Sequence, residues 1–227
     1  MRWNRRFNSQ RAQCEEPSIF QPWFQRVAET ISAYSITDDD TYNFDETGFM
    51  LGLITIAKVV TNTANIGRTI AQQLGNHQWI TAIECICASG WAIAPFLVFP
   101  SKQHQSTWYN YLVCDSVIAL SENGWTTNEI ALEWIQHFNH LTECRTKCTY
   151  WLLVLDGHSS YVTPEFDQYC KDNHIIILYM PAHSSHLLQS LDVSCFGPLK
   201  KAYANEIYYL IRLGINHIDK LNFLKAY

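Results

Sequence analysis

Two apolar runs that each lead to an aspartate constrain this chain more than any other feature. Trp151 to Leu155 delivers Asp156 into a Gly-His-Ser-Ser turn, and Ile175 to Met180 leads through Pro181 and a polar loop to Asp192. The interval between the two aspartates suffices for one strand–helix–strand crossover and a loop. Upstream, Asp45 sits in YNFDETG, again where an apolar segment gives way to a glycine turn. Three carboxylates, each at the exit of a buried element, are what a two-metal site for phosphoryl transfer needs. Spacing alone leaves a second reading open, in which Asp45 and Asp156 form strand-end turns and Asp192 caps a helix.

At 227 residues, 48% hydrophobic and 14% aromatic, the chain can bury the core of one large domain, or of a domain with a helical appendage. Only 16% of its residues are charged, which argues against general disorder. A net charge of −5 is unusual for a nucleic-acid binder. The charge is uneven, however: Arg2, Arg5, Arg6 and Arg11 precede an acidic block of Asp38, Asp39, Asp40, Asp45 and Glu46. Carboxylates gathered for a metal would add negative formal charge that the bound cation neutralises. The eight cysteines include no Cys-x-x-Cys pair, so free thiols in a reducing compartment are expected, with a structural zinc site the weaker alternative. The longest uncharged run, Cys85 to Ser101, contains Ser89-Gly90 and Pro95 and reads as two strands around a turn, not a membrane span.

Residues 1–15 read as a solvated basic lead-in. Ile19, Trp23, Val27 and Ile31, widened by Phe20 and Phe24, predict an amphipathic helix within Pro17 to Tyr34. Short apolar pieces at Thr41–Phe44 and Phe49–Ile56 flank the Asp45 turn, and residues 60–77 read as a loop. Trp79–Ala88 and Trp91–Phe99 predict a hairpin turning at Ser89-Gly90. Thr126-Thr127-Asn128-Glu129 carries a capping-box pattern ahead of a helix over about 127–142. Thr163-Pro164 opens a helix to about Asn173, and Pro198 opens a long one carrying Leu199, Tyr203, Ile207 and Leu210 to about Gly214. A short helical piece over Asp219–Tyr227 closes the chain. Three strands, a helix, a strand, a helix, a strand and a closing helix give the order of an α/β, ribonuclease-H-like fold: a mixed central sheet flanked by helices, here with an N-terminal helix.

The stretches YNFDETGF (42–49), GNHQWITAIECICASGW (75–91), SENGWTTNEIALEWIQHF (121–138), LLVLDGHSS (152–160) and MPAHSSHLLQSLDVSCFGPLKKAY (180–203) together resemble one family. It is the DDE-superfamily endonuclease domain, in its pogo-like (jerky and centromere-protein-B-like) branch of mariner-type transposases. The resemblance implies Asp45, Asp156 and Asp192 as catalytic residues and as ligands of two Mg²⁺ (or Mn²⁺) ions. It also implies DNA as partner, a homodimer working on paired ends, a nuclear location, and neither a membrane nor a small-molecule cofactor. Glu46, His158 and His186 are candidates for supporting those ligands, with turn or packing roles as their alternatives. Lys200 and Lys201 are candidates for the DNA backbone, with a solvated helix face as theirs.

Two positions depart from the family pattern. Tyr161 stands where Asp-Gly-His-x-Ser-His ends in histidine, removing an imidazole that helps position the site. Ser190 stands where Gln-Pro-Leu-Asp has proline, loosening the approach to Asp192. The expected organisation is a lead-in and helix over 1–36 and a catalytic domain over 37–227 that stops short at its C-terminus. The family's N-terminal helix-turn-helix domain is expected to be absent. An inactive or domesticated remnant that binds nucleic acid or protein is the alternative reading.

Overall fold

The computed structural model describes residues 17–52, 78–157, 159–215 and 217–227. The basic lead-in, the loop over 60–77 and His158 therefore lie outside the described residues, as does the second half of the second apolar piece, residues 53–56.

Helix α1 (Pro17–Tyr34) leads into strand β1 (Thr41–Leu51), which pairs antiparallel with β2 (Gln78–Cys87), from Tyr42 opposite Cys87 to Leu51 opposite Gln78. The expected turn at Asp45–Gly48 does not form. Each of those residues has a partner on β2, and this long ladder overrides the local turn chemistry of Asp-Glu-Thr-Gly. Gly48 is needed for a different reason: the Trp79 indole lies across it, and a Cβ there would come within 1.8 Å of the ring.

The hairpin turn forms as expected, with Gly90 at φ 95° and its N–H donating to the Cys87 carbonyl. Its returning arm makes only an Ile86–Ala92 bridge before β3 (Phe96–Pro100). A strand with no counterpart in the sequence reading, β4 (Val117–Ser121), then runs parallel to β3. After α2 (Asn128–Glu143), β5 (Trp151–Leu155) lies parallel to β1. After α3 (Pro164–Asp172), β6 (Ile175–Tyr179) lies parallel to β5. The sheet order is β4-β3-β2-β1-β5-β6. A helical turn, α4 (Ser185–Leu188), and a π-helical turn (Leu191–Cys195) lead into α5 (Phe196–Arg212), and α6 (Lys220–Ala226) follows.

The first cap falls one residue later than the capping box predicted, on Thr127 instead of Thr126, and accepts from the Ile130 amide; the second is as predicted, Thr163 accepting from the Phe166 amide. On one face of the sheet α2 and α3 bury Ile130, Trp134, Phe138 and Phe166 against Tyr42, Phe44, Phe96, Leu153 and Leu155. On the other face, α5 and α6 cover Phe49, Leu51, Ile80 and Phe99, using the predicted stripe of Leu199, Tyr203, Ile207 and Leu210. Val27 and Ile31 of α1 pack beside Leu152 and Leu178, and the Trp23 indole donates to the Tyr179 carbonyl. Phe24 stays outside that stripe, half exposed. The seven described cysteines are free thiols.

Candidate active site

Alternation along β1 sends Tyr42 and Phe44 to the α2 face and Asn43 and Asp45 to the other. The parallel register pairs Asn43 with Val154, so two residues further along each strand Asp45 comes beside Asp156, just past the end of β5. Asp192 is exposed in the π-helical turn that leads directly into α5. The fold therefore brings together carboxylates from three elements that are distant in sequence.

Their proximity is felt at Asp45, whose carboxyl is pushed up from the ordinary value of 3.8 to about 7. Burial is the main cause, and the charges of Asp192 and Asp156 add to it. The Glu46 amide, donating to Oδ1 at 2.8 Å, and a side-chain hydrogen bond from Gln189 pull the other way. Among the described residues, no three His, Cys, Asp or Glu side chains already stand close enough to grip one metal ion.

Three neighbours of Asp45 were not singled out from the sequence. Gln189 is fully buried, and its Nε2 donates to the Phe44 carbonyl at 3.0 Å. Its Oε1 accepts from Asn43 Nδ2 at 2.5 Å. Asn43 also donates to the Val154 carbonyl at 3.0 Å, while its own Oδ1 is buried with no partner among the described residues. Glu84 lies directly across from Asp45 on β2; burial raises its carboxyl to about 7, and it accepts from the Tyr227 hydroxyl. The signal for Gln189 was the family's Gln-Pro-Leu-Asp pattern. For Glu84 there was none without the β1–β2 register.

The other predicted residues separate. Glu46 points to the opposite face from Asp45 and accepts a hydrogen bond from Tyr161. Tyr161 is buried against Phe44, Trp134 and Phe166, and burial with the Glu46 charge holds its hydroxyl protonated. Tyrosine here is thus built into the core and supports the strand that carries Asp45. Ser190 has φ −59°, a value proline itself adopts, so the missing ring has not altered the backbone. His186 is half-buried in α4, with Nε2 lacking a partner among the described residues. Lys200 and Lys201 are exposed on α5.

A family described as DDE superfamily endonuclease matches residues 76–227, a range that includes Asp156 and Asp192 and begins after Asp45. The chain is 48% identical over 210 residues to a protein of Cochliobolus lunatus called MFS-type transporter clz9, covering 92% of this chain and 23% of that one. It is 41% identical over 88 residues to Chaetoglobosin A biosynthesis cluster protein C of Chaetomium globosum, covering 38% of this chain and 20% of that one. The chain thus spans about a quarter or less of the curated relatives it matches. No helix among the described residues is long and apolar enough to cross a membrane. Among solved structures, the Mos1 transposase paired-end complex with left transposon end superposes with a TM-score of 0.56 at 12% identity, over all of this chain and 61% of that one. The Mos1 mariner paired end complex with Mn gives 0.57 at 12%, with the same coverage. At such identity the likeness is one of fold, and the fold is the ribonuclease-H-like one expected.

Proposed function

Because the chain belongs to the DDE superfamily of endonucleases, we propose that it is a transposase-derived catalytic domain that cuts or joins DNA through Asp45, Asp156 and Asp192. The observation that carries this reading is geometric: the β1–β5 register brings Asp45 beside Asp156, and the turn that carries Asp192 packs against β1. A fold that gathers like charges without a cation works against its own stability. The donor set is chemically suited to Mg²⁺ or Mn²⁺, being made of hard oxygens that leave positions for water and phosphate. When bound, a pair of such ions would activate the attacking oxygen and neutralise charge on the leaving one. Asp45, Asp156 and Asp192 would hold them.

The chain's own residues set up the rest. The Glu46 amide and Gln189 orient the Asp45 carboxylate, and burial on β1 limits the water around it. Exposure of Asp192 leaves the third ligand open to a substrate arriving from solvent. Lys200 and Lys201, eight and nine residues further on and exposed, would meet the DNA backbone. The Mos1 transposase paired-end complex with left transposon end, which shares the fold, supports DNA as the partner; a second copy of the chain as the working assembly and the nucleus as the place of action are part of the same proposal. The resemblance of the sequence motifs supports placing the domain in the pogo-like branch.

A second reading, a non-catalytic remnant that binds nucleic acid or protein, is favoured by the lack of a three-ligand cluster already at metal distance among the described residues. Mg²⁺- or Mn²⁺-dependent nicking of DNA, run beside Asp156→Ala, separates the two. Nicking that disappears in the variant supports the endonuclease. No nicking, or nicking that survives the substitution, makes the remnant the better description.

A further inference from the structure

Gln189 does more than line the site. Its backbone carbonyl accepts the Val193 N–H at 3.0 Å, next to Asp192, and its own N–H donates to Ser185 at 2.9 Å. Its side chain reaches the Phe44 carbonyl, next to Asp45, and the Asn43 amide. Asn43 then bonds the Val154 carbonyl, two residues before Asp156. One continuous chain of hydrogen bonds therefore touches each aspartate-bearing segment within two residues of its carboxylate.

We propose that the Gln189–Asn43 pair is the positioning device of the site, fixing the spacing of Asp45, Asp156 and Asp192 so that divalent cations can be held between them. The proposal rests on the endonuclease reading above and assigns the two amides their part in it. Three features argue against a purely structural pair. Gln189 is wholly buried, although a leucine or methionine would fill the same space without polar groups to satisfy. Asn43 keeps a buried Oδ1 with no protein partner among the described residues, a cost that packing alone does not explain. And the bonds run to backbone carbonyls on both parallel strands, so the pair measures the distance between β1 and β5 as well as holding the turn before α5.

The test uses the full chain with Gln189→Met, Asn43→Leu and the double variant, followed by thermal unfolding, Mn²⁺ binding by electron paramagnetic resonance, and DNA nicking. Each single variant is expected to weaken Mn²⁺ binding and lower kcat at least tenfold, with KM for DNA unchanged. The double variant, apolar at both positions, is expected to unfold later than either single while Mn²⁺ affinity and kcat stay low. Recovery of affinity together with the unfolding midpoint would make the pair structural only and overturn the proposal. So would single variants that bind Mn²⁺ within twofold of the parent.

Should the variants not fold, the parent decides. The slowly exchanging side-chain amide signals of Gln189 and Asn43 are expected to shift in NMR spectra on addition of Mg²⁺, and unmoved signals overturn the proposal. A parent that binds Mn²⁺ and shows these shifts without nicking DNA would refute the endonuclease and leave the positioning device standing. A parent that binds no Mn²⁺ would refute the device itself.

Discussion

Adjacent residues of β1 live in opposite chemistries. Tyr42 and Phe44 face α2, where Phe44 lies 3.9 Å from the Trp134 ring centre and against Tyr161. Asn43 and Asp45 face the other way, into buried amides and carboxyls. The first side removes aromatic surface from water and stabilises the fold. The second holds a carboxyl whose ionisation burial and its neighbours oppose, which costs stability. A single strand thus carries both, and the aromatic side is what allows the polar side to stay assembled.

The contrast can be broken hardest from the aromatic side. Trp134→Ala empties a fully buried site and is expected to lower stability by about 4 kcal/mol, read from chemical denaturation. A loss under about 1 kcal/mol would mean that this face is not the main support of β1.

On the polar side the expected sign is reversed. Asp45 has a folded value of about 7 against an ordinary 3.8, so between those values the folded chain holds its proton while the unfolded chain has released it. Stability from this group therefore falls as pH rises through that window and is level above it. In chelator, Asp45→Asn is expected to match the parent near pH 4 and exceed it by at most about 4 kcal/mol at pH 8, in urea denaturation at each pH. A variant less stable than the parent at pH 8 would contradict the contrast.

Gly48→Ala tests the aromatic side at its rim. The new Cβ drives into the Trp79 ring, and a loss of about 2 kcal/mol, with altered tryptophan fluorescence, is expected. Ser190→Pro is the mildest probe and belongs to the polar side. With φ −59° at Ser190 and ψ 103° at Gln189, both residues already have the backbone that proline requires. A gain of about 0.5 kcal/mol is expected in thermal unfolding, and a loss would show that the turn must flex.

Much of this was legible because it follows from local pattern. The apolar run ending at Asp156, the capped starts of α2 and α3, and the stripe of α5 are set by neighbours within a few residues. What was hidden depends on partners far along the chain. Asp45-Glu46-Thr47-Gly48 reads as a turn because function has placed polar residues where a buried strand would have apolar ones, and only the β2 ladder straightens it. β4 is a short strand whose partner, β3, lies across an irregular segment. Gln189 looked like one polar loop residue among several, and its importance appears only when Phe44 and Asn43 are beside it. Asp156 was visible from the end of β5, and Asp45 and Asp192 from the motifs around them, whereas the amides beside them were not.

The parallel pairing of β1 with β5 has a consequence for how the chain is made. Asn43 meets Val154 111 residues later in the sequence. During synthesis the antiparallel β1–β2–β3 unit can form from nearby residues while the β5 side of β1 remains an open edge. Closing it must wait until a long span has been translated, and such distant contacts form slowly. Until then the exposed edge, with Tyr42 and Phe44 uncovered by α2, can pair with another nascent chain. The order in which the chain emerges thus leaves one side of the strand that carries Asp45 open until β5 has been made.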